Sequence, residues 1–459
     1  MKNHVQIDRR TFVRQAAAVT GLAAARRANA AVLGRNEQVR LGVIGLGNRG
    51  DQLLDAFLPH QDAQIVALCD VYEPYLRAAR EKVGGHVREY RDYRSLLEQP
   101  DIDAVVIATP DHWHALQCVE ACRAGKDAYI EKPVSLTIGE GREMVRVAKE
   151  TGRVTQVGLH RRSSKVIQEA VERIRSGEIG RITTAHCYNL SNEFPMGIGS
   201  PPDGEPPDGL DWDLWLGPAP KVAYNPNRCL YKFRWFRDYS GGQITNQGTH
   251  FLDVIQWALG QNAPQSVLAV GGKFAVGDNR EIPDTMEVVW QYEGPTLVTF
   301  SQHNANASNG SRRNWDIEFR GTKGTLGFAG NGYDVIPENV RTRPLPVLSP
   351  LDREGNRIDG RAVHATGKHI KVTGSNSTTE HARNFLDCVK SRGRTNCPIE
   401  VGHRSSTATL LANIAFDVGR PIRWDSEEEK VLADPEANNL LVRAYRAPWK
   451  QIGISQTAD

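Results

Sequence analysis

The chain has 459 residues, with 57 Lys and Arg against 54 Asp and Glu, for a formal charge of +3. That length exceeds one ordinary hydrophobic core, so two domains are expected. An ordinary apolar share with abundant Gly and Pro excludes disordered and fibrous classes, and the lack of an eighteen-residue apolar run excludes a membrane-spanning helix.

The charge is unevenly placed. The first thirty residues contain Asp8-Arg9-Arg10-Thr11-Phe12-Val13, an Ala-rich stretch to Ala25, and Ala28-Asn29-Ala30. This order resembles a twin-arginine export signal cleaved after Ala30; the alternative is an Ala-rich surface helix with a chance Arg pair. The segment holds six basic residues (Lys2, Arg9, Arg10, Arg14, Arg26 and Arg27) and one acidic (Asp8), so its removal takes the formal charge from +3 to −2. Basic character therefore belongs to the leader, and no nucleic-acid partner is expected. The expected partner in transit is the twin-arginine translocase, and the expected destination is the periplasm. Seven cysteines form no C-x-x-C pair, which argues against a disulfide framework or zinc ribbon. Cys118 and Cys122, four apart on a helical pattern, are read as small core residues.

From Val39 to about Gly158, short apolar runs alternate with helical patterns, the rhythm of βα units feeding a parallel sheet. Strands are predicted at Val39 to Ile44, Gln64 to Cys69, Ala104 to Ala108, Ala128 to Ile130 and Val154 to Val157. Helices are predicted at Arg49 to Leu58, Pro74 to Val83, His114 to Ala124 and Gly139 to Glu150. Beyond His160 the rhythm changes. A helix at Ser164 to Ser176 and a strand at Ile182 to Tyr188 lead into a Pro- and Gly-rich, aromatic segment, Phe194 to Gly242, whose length marks a functional loop region. Alternating β-branched and polar residues from Gln265 to Phe328 predict an antiparallel sheet with one exposed face, a candidate surface for a homodimer or homotetramer. Helices follow at Glu380 to Ser391 and Ser405 to Leu411. The domain reading is a leader at 1–30, a dinucleotide-binding domain at 38–159 and a substrate and oligomerisation domain at 160–459.

The strongest motif is Gly45-Leu46-Gly47-Asn48-Arg49-Gly50, placed between a strand and a helix. Gly45 permits the tight turn, Gly47 lets a pyrophosphate approach the backbone, and Gly50 allows helix and sheet to pack closely. The phosphates would meet free N–H groups at the helix N-terminus. Asp70 ends the next strand, where it would accept hydrogen bonds from the adenosine ribose and repel a 2′-phosphate, favouring NAD over NADP. Its alternative role is a helix N-cap.

Two further motifs fall at strand ends, Ala108-Thr109-Pro110-Asp111-His112-Trp113-His114 and Glu131-Lys132-Pro133, followed later by Gly241-Gly242 through Gly248-Thr249-His250. Together with the glycine fingerprint these resemble the Gfo/Idh/MocA family of glucose-fructose oxidoreductases and inositol dehydrogenases across nearly the whole chain after residue 30. The resemblance implies an N-terminal Rossmann domain followed by a C-terminal domain on a large, mostly antiparallel open sheet. It implies a cofactor set of Gly45, Gly47, Asn48, Arg49, Gly50, Asp70, Thr109, Pro110, His114, Glu131 and Lys132. Glu131 would contact the nicotinamide ribose, Lys132 would lie beside the reacting carbon, and the peptide before Pro133 would be cis. A buried Lys near a cationic ring should lose basicity and exchange a proton with a substrate hydroxyl.

Asn246, His250 and Asp253 can share one helix face at their spacing. The family pattern has Asp where this chain has Asn246, so His250, the expected proton acceptor, should be a weaker base here. Arg162, Asp253, Trp235 and Tyr239 complete the expected substrate contacts, with a domain-junction ion pair as the equal alternative for Arg162 and a packing arm as the alternative for the aromatic loop; no metal is expected, His112 and His114 lacking an obvious third ligand.

The expected activity is hydride transfer between a tightly held NAD and a hydroxyl or ketone of a sugar or cyclitol. Tight holding follows from export, because the periplasm offers no useful NAD(H) pool and the enzyme would have to regenerate its own cofactor. The alternatives are redox-neutral glycoside cleavage through a transient keto-sugar, and non-catalytic sugar binding.

Overall fold

A computed structural model describes residues 37–294, 296–308, 313–341, 363–375 and 377–452. The expected leader at 1–30 lies outside them. Six strands, β1 (Val39–Ile44), β2 (Ala63–Cys69), β3 (Arg88–Tyr90), β4 (Ala104–Ile107), β5 (Asp127–Ile130) and β6 (Thr155–Val157), form one sheet in the order β3-β2-β1-β4-β5-β6. All its pairings are parallel. The intervening helices are α1 (Asn48–Phe57), α2 (Glu73–Val83), α3 (Tyr93–Leu97), α4 (Asp111–Arg123) and α5 (Ile138–Thr151). Strand β3 and helix α3 were not anticipated: each is too short to show a period.

Successive residues of the central strands feed opposite faces, as the pleat requires. Val43, Val106 and Tyr129 point into one layer with Leu53 and Phe57 of α1. Ile44, Ile107 and Ile130 point into the other with residues of α3, α4 and α5. The first layer is completed from far along the chain. Helix α10 (Thr378–Ser391) packs Ala382, Phe385 and Leu386 onto it, with the Phe385 ring edge-on to Phe57 and Tyr129. The chain leaves the sheet after β6, so the neighbouring face would stay uncovered without this return. A boundary drawn at residue 160 thus marks where the chain first leaves the Rossmann unit, and part of that unit's core is supplied from beyond it.

The second sheet has ten strands in the order β16-β13-β12-β11-β7-β10-β9-β8-β17-β18. Its members are β7 (Ile182–Leu190), β8 (Ser266–Gly272), β9 (Thr285–Tyr292), β10 (Thr296–His303), β11 (Ile317–Gly321), β12 (Gly324–Ala329), β13 (Gly332–Pro337), β16 (Ile370–Val372), β17 (Ile422–Asp425) and β18 (Lys430–Val431); β14 (Asn339–Arg341) and β15 (Val363–Ala365) pair separately. The sheet is antiparallel except where β10 runs parallel to β7. Its inner face, including Val288, Trp290, Phe300 and Phe319, is buried beneath α6 (Lys165–Arg175), α9 (Gly248–Leu259) and α11 (Ile399–Val418). Its outer face leaves Leu268, Val270, Val289 and Leu297 exposed, as the alternation in the sequence implies. Two short helices, α7 (Trp212–Leu216) and α8 (Gln243–Asn246), lie between β7 and α9. All seven cysteines are buried free thiols. Among the described residues no helix is long and apolar enough to cross a membrane.

Candidate active site

A cavity of about 490 Å³ runs along the C-terminal ends of β1, β2, β4 and β5, the edge at which open parallel sheets bind ligands. Its floor is the glycine turn. Gly45 has φ +85°, and a Cβ there would stand 2.6 Å from the Thr109 nitrogen; a Cβ on Gly50 would stand 2.0 Å from the Gly45 carbonyl oxygen. These two glycines are demanded by the protein's own packing. At Gly47 the nearest atom to an added Cβ is Tyr75 Cε2 at 3.2 Å, a side chain of the cavity wall. Gly47 is also the N-cap of α1 and offers no side chain to its first-turn N–H groups, which leaves them for an anionic ligand. Asn48 and Arg49 line the cavity beside it.

Asp70 stands at the far end. Its two carboxylate oxygens accept from the Leu46 N–H (2.7 Å) and the Tyr72 N–H (2.9 Å), so it ties the glycine turn to the loop after β2. It does not cap α2, whose N-cap is Tyr72. Burial raises its pKa to about 6 against the lowering effect of these N–H groups. An uncapped helix N-terminus at one end and a carboxylate with remaining lone pairs at the other fit a dinucleotide laid along the turn.

His114 holds the next two loops together. Its ring nitrogens stand 2.7 Å from the Pro133 carbonyl oxygen and 2.8 Å from the Thr109 carbonyl oxygen, while Thr109 Oγ1 donates to Gln117 (2.8 Å) and Pro110 caps α4. His112 turns away to the Trp215 carbonyl (3.1 Å), so the two histidines do not converge. The Lys132–Pro133 peptide is cis, as the motif implies. Glu131 accepts from Arg49 Nε at 2.7 Å; burial pushes its pKa up, and the Arg49 and Lys132 charges more than offset that and hold it low.

Lys132 reaches across to the second domain. Its Nζ donates to Asn246 Oδ1 (2.7 Å) and to the Asn246 carbonyl oxygen (3.1 Å). Burial lowers its pKa to about 8, partly countered by Glu131 and Asp111. Asp111 is itself buried and raised by burial, with Ser240 Oγ donating to it at 2.5 Å. Asn246 Nδ2 donates to Gln243 Oε1 at 2.9 Å.

This placement corrects the helix-face reading. The helix is interrupted at Gln247 between α8 and α9; Asn246 and His250 both line the cavity, but the Asn246 amide is hydrogen-bonded to Lys132 and Gln243, not to His250. His250 packs edge-on against His160, ring centroids 5.2 Å apart, and its Nδ1 has no hydrogen-bond partner among the described residues. Burial, then the Lys132, His160 and Arg161 environment, holds His250 well below the ordinary histidine range, and burial beside Arg49 takes His160 to about 3. Both rings are neutral at working pH, so His250 is a poor proton acceptor.

Four expected substrate contacts lie outside the cavity. Asp253, buried one turn beyond His250 on α9, accepts from Arg162 Nε (2.8 Å) and Ser405 Oγ (2.9 Å); the charges neutralise each other at the domain junction. Trp235 is a core residue with the Arg280 guanidinium 4.2 Å from its ring centroid, and Tyr239 is fully buried against Trp215 and His112. The aromatics of this loop that do reach the cavity are Trp215, Tyr231 and Phe233, with Arg234. Sequence reasoning missed these, because nothing in a non-periodic loop tells which of neighbouring aromatics turns inward. It also missed Asn189 at the end of β7, whose Nδ2 is buried without a partner among the described residues, and Gln243, which its position three before Asn246 could have flagged. Among the described residues no group of three or more His, Cys, Asp or Glu is placed to hold a metal.

Residues 39–159 match the model of an oxidoreductase family, NAD-binding Rossmann fold, and residues 194–307 and 367–451 match the C-terminal alpha/beta domain of the same family. The chain belongs to the Gfo/Idh/MocA oxidoreductase family. It is 31% identical over 296 residues to a myo-inositol 2-dehydrogenase of Thermotoga maritima, covering 64% of this chain and 75% of that protein. It is 28% identical to a 1-carboxy-3-chloro-3,4-dihydroxycyclohexa-1,5-diene dehydrogenase of Comamonas testosteroni, covering 48% of this chain and 47% of that one. A glycosyl hydrolase family 109 protein of Shewanella sp. (strain ANA-3) is 32% identical over 172 residues, 32% of this chain and 38% of that one. The chain thus spans half or less of the length of several curated relatives it matches. The crystal structure of the WlbA dehydrogenase from Bordetella pertussis in complex with NADH and UDP-GlcNAcA shares the fold, with TM-score 0.62, 20% identity, and coverage of 84% of this chain and 99% of that one.

Proposed function

We propose that the protein is an NAD(H)-dependent dehydrogenase that oxidises a secondary hydroxyl of a sugar or cyclitol, or reduces the matching ketone. The observation that carries this reading is the contact of Lys132 with Asn246. A neutral amine has two N–H donors, and Asn246 offers two acceptors, its side-chain and main-chain oxygens. The remaining tetrahedral position on Nζ carries the lone pair when Lys132 is neutral and a proton when it is charged. With a pKa of about 8, that position takes up or releases a substrate proton near neutral pH. The nicotinamide ring would accept or return the hydride. His250, held neutral, positions the hydroxyl through hydrogen bonding, and Asn189 Nδ2 and His160 Nδ1 offer further polar contacts at this end of the cavity.

NAD rather than NADP is favoured by Asp70, whose carboxylate repels a 2′-phosphate. Tight retention is supported by Leu230, Tyr231, Phe233, Arg234, Trp215 and Trp449, which line the same cavity as the glycine turn. Export through the twin-arginine pathway to the periplasm rests on residues 1–30, and self-association rests on the exposed apolar outer face of the large sheet.

The test is to purify the protein after twin-arginine export, identify bound dinucleotide by mass spectrometry, and supply mixed sugars, cyclitols and glycosides in deuterated water. Stoichiometric keto-product with a reduced partner is expected; a preparation with no nucleotide and no affinity for one refutes the reading. The similarity to a glycosyl hydrolase family 109 protein favours one second reading. There the oxidised carbon acidifies its neighbouring C–H, the glycosidic group is eliminated, water adds, and the ketone is reduced again. Deuterium at a ring carbon together with aglycone release would select it.

A further inference from the structure

Asn246 faces a cation that can only donate, yet its amide carries both an acceptor oxygen and a donor NH₂ group of nearly equal size. Turned one way it accepts from Lys132; turned the other it sets two N–H groups against an ammonium. A carboxylate in this place would present an oxygen in either rotation and need no such choice. The backbone of α8 places Gln243 three residues before Asn246, one turn away on the same face. Gln243 Oε1 lies 2.9 Å from Asn246 Nδ2, while Asn246 Oδ1 lies 2.7 Å from Lys132 Nζ. Gln243 and Asn246 both line the cavity at this point.

We infer that Gln243 is a positioning residue that fixes the rotation of the Asn246 amide, so that its oxygen faces Lys132 and the proton-exchanging position on Nζ points to substrate. Gln243 replaces, in this chain, the rotational indifference of a carboxylate. The inference rests on the assignment of Lys132 as the proton-exchanging group. The charged and titratable groups that act on Lys132 are Glu131 beside it in the chain, Asp111 at the start of α4, Arg49 on α1, Arg234 in the loop wall and His250 on α9. Among the described residues the Asn246 amide is hydrogen-bonded only to Lys132 and Gln243, so a change at Gln243 reaches Lys132 through Asn246.

The test is a double-mutant cycle of Gln243→Met, which keeps the volume and removes the acceptor, with Asn246→Asp. Lys132 is titrated in the full-length protein by the pH dependence of its acetylation rate, read by mass spectrometry without substrate and with the same nucleotide content in every variant. Gln243→Met alone is expected to lower the Lys132 pKa by about one unit, the scale of exchanging a hydrogen-bond acceptor for a donor beside an ammonium. In the Asn246→Asp background the same substitution should shift it by less than about 0.3 unit, because either carboxylate oxygen serves. Gln243→Glu, which keeps an acceptor, should not lower the pKa, and it stands in if the Met variant folds poorly. Equal shifts in the two backgrounds, or a downward shift with Gln243→Glu, overturn the inference. Titrations that follow the expected pattern in a protein that oxidises no sugar or cyclitol would leave Gln243 as the positioning residue while removing the proposed activity.

Discussion

Replacing Asn246 with Asp sets a full negative charge where Lys132 Nζ now finds an amide oxygen at 2.7 Å. An opposite charge that close raises the pKa of a lysine by about 1–3 units, each worth about 1.4 kcal/mol of preference for the ammonium. Starting from about 8, the variant's Lys132 should titrate at about 9 or higher. The sign follows from the roles. Oxidation needs the neutral amine, which exists above the pKa, so its rate climbs with pH through about 8 in the parent and through a higher range in the variant. Ketone reduction needs the ammonium and should run the other way. At pH 7 the neutral fraction falls from about one tenth to about one hundredth or less, so single-turnover oxidation, followed by the absorbance of reduced nicotinamide, should slow about tenfold or more. Profiles that coincide at every pH from 5 to 9 would refute the electrostatic account of this position.

Other expectations follow from the same contacts. Lys132→Ala should retain dinucleotide binding by calorimetry while turnover falls at least about a hundredfold, the scale of acid–base catalysis. Because burial raises Asp70 to about 6, its carboxylate is ionised above that pH and protonated below it; affinity for NAD should therefore weaken as pH falls from 7 to 5, and Asp70→Asn should flatten the dependence in the same titration. Phe385→Ala, which empties a site between Phe57 and Tyr129, should cost about 3–5 kcal/mol in denaturant unfolding and lower NAD affinity as well, since the helix that carries it completes the Rossmann core.

The part of the cavity built from the glycine turn and the neighbouring strand-end loops was legible early because its backbone geometry is local. Gly45, Gly47 and Gly50 announce a turn through backbone geometry that other residues resist, and Asp70 is placed by strand length alone. Glu131, Lys132 and Pro133 sit within one short loop whose position is set by the strand before it. The expected substrate contacts were harder. Trp235, Tyr239, Arg162 and Asp253 have the residue types of a sugar site and turned out to be core and domain-junction residues. Tyr231 and Phe233, from the same loop as Trp235, and Asn189 reach the cavity instead.

By itself, the order of residues determined the parallel sheet, the turn beneath the cofactor cleft and the lysine at its end, since each depends on periodicity or on the φ/ψ demands of a few neighbours. Tertiary structure alone decided three things: that Asn246 serves Lys132 and not His250, that α10 closes the Rossmann core, and which aromatics of the loop face inward. Each depends on contacts between segments tens to hundreds of positions apart, and on a helix break at Gln247 that spacing along the chain cannot reveal. Burial makes those contacts matter chemically, because the same lysine left in water would hold its proton at every physiological pH.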